Sequence, residues 1–222
     1  MLDLIVDTSR AGARMGIFGE NISEEIVDNN ARGESLLVVL DSLLKKASVS
    51  LDAIKRVLVL RGPGSFTGLR TGIAFCEGLC FTGKRKLYGV STLAALTLYG
   101  NVESTLVILR ARTGYWYFRN SPQGESFAEV EECFWNTERV LESLKNTTAK
   151  FAVVDSAVLT EEVFQEILNE KGIEIVQESE GSLSLFREAL THTCAYFAHF
   201  LQDKETRRSY LQCFPIVFQT EL

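Results

Sequence analysis

Residues 60–70, LRGPGSFTGLR, constrain the fold of this chain more than any other stretch. They join an apolar run at residues 57–60 to a helical pattern that continues to residue 81. Gly62, Pro63 and Gly64 are residue types that end a strand and turn the chain, and Ser65 is suited to cap the helix that follows. The stretch therefore predicts a strand, a tight turn and a helix.

Two interpretations of this turn stay open. Glycines beside the free amides of a helix start can cradle a phosphate, although the stretch has neither the lysine of a Walker loop nor the spacing of a dinucleotide fingerprint. Alternatively, Gly64, Gly68 and Gly72 form a ridge without side chains, on which an internal neighbour or a partner protein can pack closely. If a partner packs there, a Gly68→Leu variant is expected to fold but to associate more weakly.

The composition indicates a globular protein. The chain has 222 residues, of which 46% are hydrophobic and 23% charged, enough for one large domain or two small ones. A net charge of -6 argues against a nucleic-acid-binding surface over much of the protein, and the basic run at residues 84–86 is typical of a solvated turn. No run approaches the roughly 18 apolar residues of a membrane helix, and the N-terminus lacks the features of a signal peptide. We expect a cytoplasmic protein that does not contact membranes.

The cysteines and histidines do not form a recognisable reactive site. Five cysteines without a CxxC pair are expected to be reduced and mostly buried. His192 and His199 are the only histidines, and their spacing is not that of a metal site or a catalytic triad. The sequence therefore predicts no catalytic residue and no metal ligand.

The order of the patterns predicts two similar α/β lobes, residues 1–103 and 104–222, divided at a polar stretch. In the first lobe we expect a three-stranded meander followed by alternating helices and strands, with helices over 34–46, 65–81 and 91–98. The second lobe repeats this order, with strands at 105–109, 115–119, 126–130, 151–154 and 173–176 and helices at 137–145, 161–171 and 183–201.

Asp7, Thr8 and Ser9 follow the first predicted strand. A carboxylate at a strand end can face a metal-bound phosphate, which makes these three residues candidates for binding ATP with Mg²⁺. The alternative is an aspartate that caps its own turn. Both interpretations stay open.

The sequence resembles the TsaB (YeaZ) family, bacterial proteins of tRNA threonylcarbamoyladenosine (t6A) modification once called glycoprotease-like or peptidase M22 homologues. The resemblance rests on ten consecutive residues at 61–70, RGPGSFTGLR, and on shorter segments at 7–9, 34–37, 51–54 and 89–91. It implies an actin/Hsp70-like (ribonuclease H-like) fold with two similar lobes, each with a mixed sheet and flanking helices.

The resemblance also implies a role without catalysis. Such a protein binds the related TsaD subunit, which transfers a threonylcarbamoyl group to N6 of adenosine 37 in tRNA, and the TsaE ATPase joins the complex. When the partner is absent, the protein forms a homodimer, and tRNA is contacted only through the complex. An ATP-binding or ATP-hydrolysing protein and a metallopeptidase-like enzyme are the alternatives. The residues implied at the partner interface are Glu34, Leu37, Gly64, Ser65, Thr67, Gly68, Arg70, Thr71 and Gly72.

The second lobe departs from the family pattern at two places. Residues 110–112 read Arg-Ala-Arg where relatives begin with an aspartate, and residues 155–157 read Asp-Ser-Ala where relatives have a glycine-rich turn. A nucleotide needs close backbone approach at such a turn. These departures argue against nucleotide binding by this chain.

Overall fold

The computed structural model describes residues 1–100, 104–121, 130–177 and 182–187. These residues form two compact units. The first contains Met1–Thr92 together with residues 183–187, and the second contains Leu93–Ser182. By its contacts the chain thus divides between Thr92 and Leu93, ahead of the boundary predicted after residue 103.

The first unit contains a five-stranded mixed sheet in the order β3-β2-β1-β4-β5. Strands β1 to β3 form the predicted antiparallel meander, whereas β4 and β5 continue the sheet parallel to β1. Parallel neighbours require crossover connections, which helices α1 and α2 provide. The bounds are β1 Leu2–Asp7, β2 Ala13–Phe18, β3 Ser23–Asp28, α1 Leu36–Ala47, β4 Ile54–Leu60, α2 Phe66–Cys80 and β5 Lys86–Val90.

The second unit repeats this topology. Its sheet has the order β10-β9-β6-β7-β8, with β6, β7 and β8 antiparallel and β6, β9 and β10 parallel. The predicted repetition of one α/β arrangement is therefore confirmed. The bounds are α3 Thr92–Leu96, β6 Thr105–Arg112, β7 Tyr115–Asn120, β8 Glu132–Asn136, α4 Thr137–Lys145, β9 Phe151–Val154, α5 Ser156–Leu159, α6 Glu162–Glu170 and β10 Glu174–Gln177.

Two predicted elements of the second half are only partly testable. Residues 126–129 of the strand predicted at 126–130 lie outside the described residues, and the third strand of the described sheet is Glu132–Asn136. The helix predicted over 183–201 is described only at its start, where Leu183–Phe186 form a 3-10 helix. Residues 188–201 lie outside the described part of the chain, together with His192 and His199.

The core of the first unit lies between the sheet and helix α1. This helix buries Leu36, Val39, Leu40 and Leu43, the spacing expected for one apolar face. A 3-10 turn, Gly33–Ser35, precedes it, so the helix begins two residues later than predicted. The adjoining Leu37 falls outside the buried face and is exposed.

The spacing of three and four residues between Phe66, Leu69, Ile73, Cys76 and Cys80 predicts a core-facing apolar stripe along α2, and the structure corrects one detail of it. Leu69 and Cys76 are buried, and Ile73 and Cys80 pack half-buried against the core, as the stripe predicts. Phe66 was predicted to face the core but is 42% exposed. It is the first residue of the helix, and the guanidinium carbon of Arg70 lies 5.3 Å from the centre of its ring.

Three cysteines are described, and all are free thiols. Cys76 and Cys133 are buried and Cys80 is half-buried, which confirms the prediction for these three. Burial raises the pKa of Cys76 well above its ordinary value and the pKa values of Cys80 and Cys133 to about 11. The thiolate, which is the reactive form, is therefore scarce at neutral pH.

We expect these thiols to resist alkylation in the native protein. At pH 8, iodoacetamide should modify Cys76, Cys80 and Cys133 at least tenfold more slowly than in urea, as measured by peptide mass spectrometry. Because the folded protein holds these protons more tightly than the unfolded chain, stability should also fall as the pH rises from about 9 toward 11. Rapid native labelling of Cys133 would contradict the buried position.

Within the described residues, no helix has both the length and the apolar character needed to cross a bilayer.

Candidate functional site

The turn between β4 and α2 has the predicted form. Arg61 continues the pairing beyond β4 by donating its amide to the carbonyl of Val90 at 2.9 Å. Gly62 has a φ of 110°, a backbone conformation that favours glycine. Ser65 caps α2 by accepting a hydrogen bond from the amide of Gly68 at 3.2 Å. The strand, turn and helix are therefore confirmed.

The glycine ridge of α2 packs against its own chain. A Cβ atom at Gly68 would overlap the carbonyl oxygen of Thr8, and one at Gly72 would overlap the hydroxyl of the same residue. A Cβ atom at Gly64 would lie 2.8 Å from that of Ser9. Of the two neighbours considered for the ridge, the internal one is thus present. The ridge no longer argues that Gly64, Gly68 and Gly72 contact a partner, and their place at an interface stays a prediction from the resemblance.

Asp7 makes contacts typical of a turn-capping aspartate. Its side chain is buried, and its Oδ1 accepts hydrogen bonds from the amide of Ser9 at 2.8 Å and from the hydroxyl of Ser9 at 2.6 Å. The carbonyl of Ser9 in turn accepts from the amide of Ser65 at 2.7 Å, which ties this turn to the start of α2. Nucleotide binding by Asp7, Thr8 and Ser9 stays a prediction, and these contacts favour the structural alternative.

A cavity of about 260 Å³ lies beside this turn, within the first unit. It brings Thr8 together with Ser65, Thr67, Gly68 and Thr71, which were predicted as interface residues. Leu36 contributes an apolar wall.

Two arginines of the cavity, Arg10 and Arg32, were not predicted. Arg10 directly follows the Asp7-Thr8-Ser9 segment, and Arg32 precedes the turn into α1, so each adjoins a segment that the sequence had marked. Because the two arginines lie far apart along the chain, the sequence alone does not indicate that they line the same cavity.

An exposed apolar surface lies at the starts of α1 and α2. Leu37 is 63% exposed, Val38 65% and Phe66 42%. The 3-10 turn that leads into α1 lies beside the first turns of α2, because a Cβ atom at Gly33 would lie 3.2 Å from the methyl group of Thr71, the sixth residue of α2. We call this the helix-start surface; its residues are Glu34, Leu37, Val38, Phe66, Thr67 and Arg70.

The sequence identified part of this surface. Glu34, Leu37, Thr67 and Arg70 were predicted at the interface, and all four are exposed. Val38 and Phe66 were missed. An apolar residue inside an amphipathic pattern is most simply assigned to the core. The pattern therefore does not distinguish these two exposed residues from the buried ones.

In the second unit, Asp155 ties its turn to the neighbouring strand. One carboxylate oxygen accepts from the amides of Ala157 at 3.1 Å and Val158 at 3.2 Å, which caps α5. The other accepts from the amide of Arg110 at 2.7 Å. At the turn where the family pattern has glycines, the Asp155 carboxylate therefore accepts the hydrogen bonds of the nearby backbone amides.

Among the described residues, no group of three or more His, Cys, Asp or Glu side chains is placed to hold a metal ion.

Comparisons with known proteins agree with this architecture. Residues 27–178 match the family model of TsaD, described as tRNA N6-adenosine threonylcarbamoyltransferase. The tRNA threonylcarbamoyladenosine biosynthesis protein TsaB of Escherichia coli K12 is 26% identical over 172 residues, which cover 74% of this chain and 73% of that protein. A tRNA N6-adenosine threonylcarbamoyltransferase of Geobacter metallireducens is 37% identical over 86 residues, which cover 37% of this chain and 25% of the transferase.

A solved structure shows the same fold. YeaZ from Pseudomonas aeruginosa superposes with a TM-score of 0.61 at 23% identity, over 89% of this chain and 96% of that chain. Together with the repeated sheet order of the two units, this likeness confirms the predicted actin/Hsp70-like (ribonuclease H-like) fold. The chain therefore belongs to the TsaD-type tRNA N6-adenosine threonylcarbamoyltransferase family and, within it, to the TsaB (YeaZ) proteins of threonylcarbamoyladenosine biosynthesis.

Proposed function

We propose that this chain is a non-catalytic subunit of the complex that makes N6-threonylcarbamoyladenosine at position 37 of tRNA, and that it acts by binding a TsaD-type transferase. The observation that carries the proposal is the helix-start surface. It lies in the unit that contains the family motif, and it exposes large apolar side chains on two adjoining helix starts.

The composition of this surface suits a protein partner. Fully burying a Leu, Val or Phe side chain stabilises an association by about 1.5–3 kcal/mol, and three such side chains are exposed on the two helix starts. Arg70 lies over the ring of Phe66, and arginine is among the residue types that most often supply much of an interface's binding energy. Glu34 adds a charge at the rim that can select the orientation of the partner.

Two sets of contacts support a binding role over the ATP-binding alternative. The carboxylate of Asp7 is engaged by Ser9, and the carboxylate of Asp155 is engaged by three backbone amides. A nucleotide that used either turn would have to replace these hydrogen bonds. In the proposed complex the TsaE ATPase is the third component, and the same surface forms a homodimer when the transferase is absent.

The proposal predicts that Leu37→Asp prevents assembly. Size-exclusion chromatography with light scattering should show the wild-type chain as a homodimer that exchanges into a one-to-one complex with the TsaD-type protein of the same genome. Leu37→Asp should weaken that complex at least tenfold, because a carboxylate would have to be desolvated in an apolar contact. Fold is checked by circular dichroism, and little change is expected because Leu37 is exposed.

Phe81→Asp is the matched control. Phe81 follows the end of α2 and is 90% exposed. The substitution therefore removes an exposed apolar side chain that lies outside the helix-start surface. We expect it to bind like the wild type. Equal binding by Leu37→Asp would disprove the placement of the interface, and a folded wild-type chain that does not bind the transferase would disprove the proposed function.

A further inference from the structure

An exposed cluster of aromatic rings lies on the β6–β7 hairpin and β8 of the second unit. The rings of Tyr115 and Phe134 stack with centroids 5.2 Å apart and planes 10° from parallel. Tyr117 lies opposite Phe134 in the strand register, with centroids 5.7 Å apart. Tyr115 is 36% exposed, and the other two rings are half-buried. We call these three rings and Arg112 the hairpin surface.

The strand geometry explains why these rings are accessible. Side chains alternate between the two faces of a strand, so Tyr115 and Tyr117 share one face of β7. Trp116 and Phe118 lie on the other face and are buried in the core of the unit. The hairpin surface therefore uses aromatic residues that the core does not.

An arginine completes the surface. The guanidinium carbon of Arg112 lies 4.5 Å from the ring centre of Tyr115 and 5.7 Å from that of Phe134. Arg110, two residues earlier, is exposed as well. Residues 105–117 contain these two arginines and no acidic residue, but Arg110 lies opposite Trp116, on the other face of the hairpin, and β8 carries Glu132. The positive charge of the hairpin surface itself therefore comes from Arg112.

We propose that the hairpin surface binds unpaired nucleotides of RNA. Bases stack on aromatic rings and on guanidinium planes, and the edges of the same guanidinium groups can donate to phosphate oxygens. This chemistry combines planar stacking with positive charge and so fits a single-stranded nucleic acid better than an acidic protein segment, which offers charge without planar bases. The inference goes beyond partner binding and replaces the expectation that tRNA is contacted only through the complex.

The test uses the full-length chain without any partner. Fluorescence anisotropy with a fluorescein-labelled oligoadenylate of about ten nucleotides, a length within the usual site sizes, reports binding at low salt. Arg112→Ala and Tyr115→Ala should each weaken binding about fivefold or more, because a base loses its stacking partner. If Arg112 meets one phosphate, Arg112→Ala should also reduce the slope of log K against log salt by about 0.7.

Lys150→Ala is the charge-matched control. Lys150 directly precedes β9, and β9 begins beside the start of β6, so this lysine lies at the opposite end of the strands from Arg110 and Arg112. The variant removes one exposed positive charge from the same unit and should bind the oligonucleotide within twofold of the wild type.

Several outcomes would overturn the proposal. One is failure of the wild type to bind the oligonucleotide, and another is binding by both hairpin variants that is as tight as that of the wild type. Binding of a polyglutamate peptide that depends on Arg112, without RNA binding, would instead assign the surface to an acidic protein. Because no transferase is present, each result is independent of whether the helix-start surface binds a partner.

Discussion

Gly68→Leu is expected to destabilise the folded chain by about 3 kcal/mol or more, or to prevent folding. Even a Cβ atom at this position would overlap the carbonyl oxygen of Thr8, and a backbone atom cannot move aside as a flexible side chain can. The turn that carries Thr8 is also fixed by Asp7 and Ser9, so the strain would spread into the end of β1. Urea unfolding followed by circular dichroism measures the loss.

Gly78→Leu is the matched control on the same helix. No atom lies within 4 Å of a Cβ built at Gly78, so a side chain there meets open space. Replacing a helical glycine by a better helix former should stabilise the protein by up to about 1 kcal/mol. If Gly68→Leu instead folds with wild-type stability and only loses association, the ridge faces a partner, as the alternative reading of the sequence held, and the packing described for Thr8 is wrong.

Asp3→Ala is expected to cost about 3 kcal/mol of stability. The carboxylate of Asp3 is fully buried and accepts from Arg56 Nε at 2.6 Å, Arg56 Nη2 at 2.8 Å and Arg187 Nε at 3.0 Å. Removing it leaves two guanidinium groups without their common partner, and breaking a buried ion pair is strongly destabilising. Both arginine side chains are partly exposed, at 24% and 35%, so water can recover part of the loss.

The same substitution should loosen the segment at residues 182–187. Arg187 joins this segment to β1, and the amide of Leu183 donates to Glu25 at 3.1 Å. Hydrogen exchange at Leu183 should therefore become faster in Asp3→Ala.

Asp41→Ala is the control for this second prediction. Asp41 pairs with Lys45 one helical turn away, and both side chains are more than half exposed. Such a surface pair contributes little, so the loss should stay below about 1 kcal/mol. If Asp3→Ala and Asp41→Ala lower the free energy of unfolding equally, the buried pair of Asp3 and Arg187 does not hold the segment at residues 182–187.

The structure changes which residues of the family motif are expected to meet a partner. The glycines of α2 contact the chain's own turn, whereas the adjoining Phe66, Thr67 and Arg70 are exposed. One motif can thus contribute both to the internal packing of the first unit and to its outer surface. Substitutions at glycines would report on folding, and substitutions at Phe66 or Arg70 on association.

The sequence by itself determined the elements and their order. Alternation of period two and helical spacing are local properties, and so is the change from strand to turn to helix at residues 60–70. They predicted both α/β halves, and the motif at 61–70 indicated the family. The strand β8, Glu132–Asn136, was not predicted, whereas residues 126–129 of the strand predicted at 126–130 lie outside the described residues.

The tertiary structure alone decided what each motif residue touches. Leu37 and Phe66 are as apolar as their buried neighbours, and only the position of the sheet under α1 and α2 leaves them exposed. Gly68 meets Thr8 across sixty residues of chain, a contact that no local pattern encodes. Arg10 and Arg32 reach one cavity, and Asp3 holds Arg56 and Arg187, for the same reason. Periodicity fixes which face of an element is apolar, whereas long-range packing fixes what that face meets.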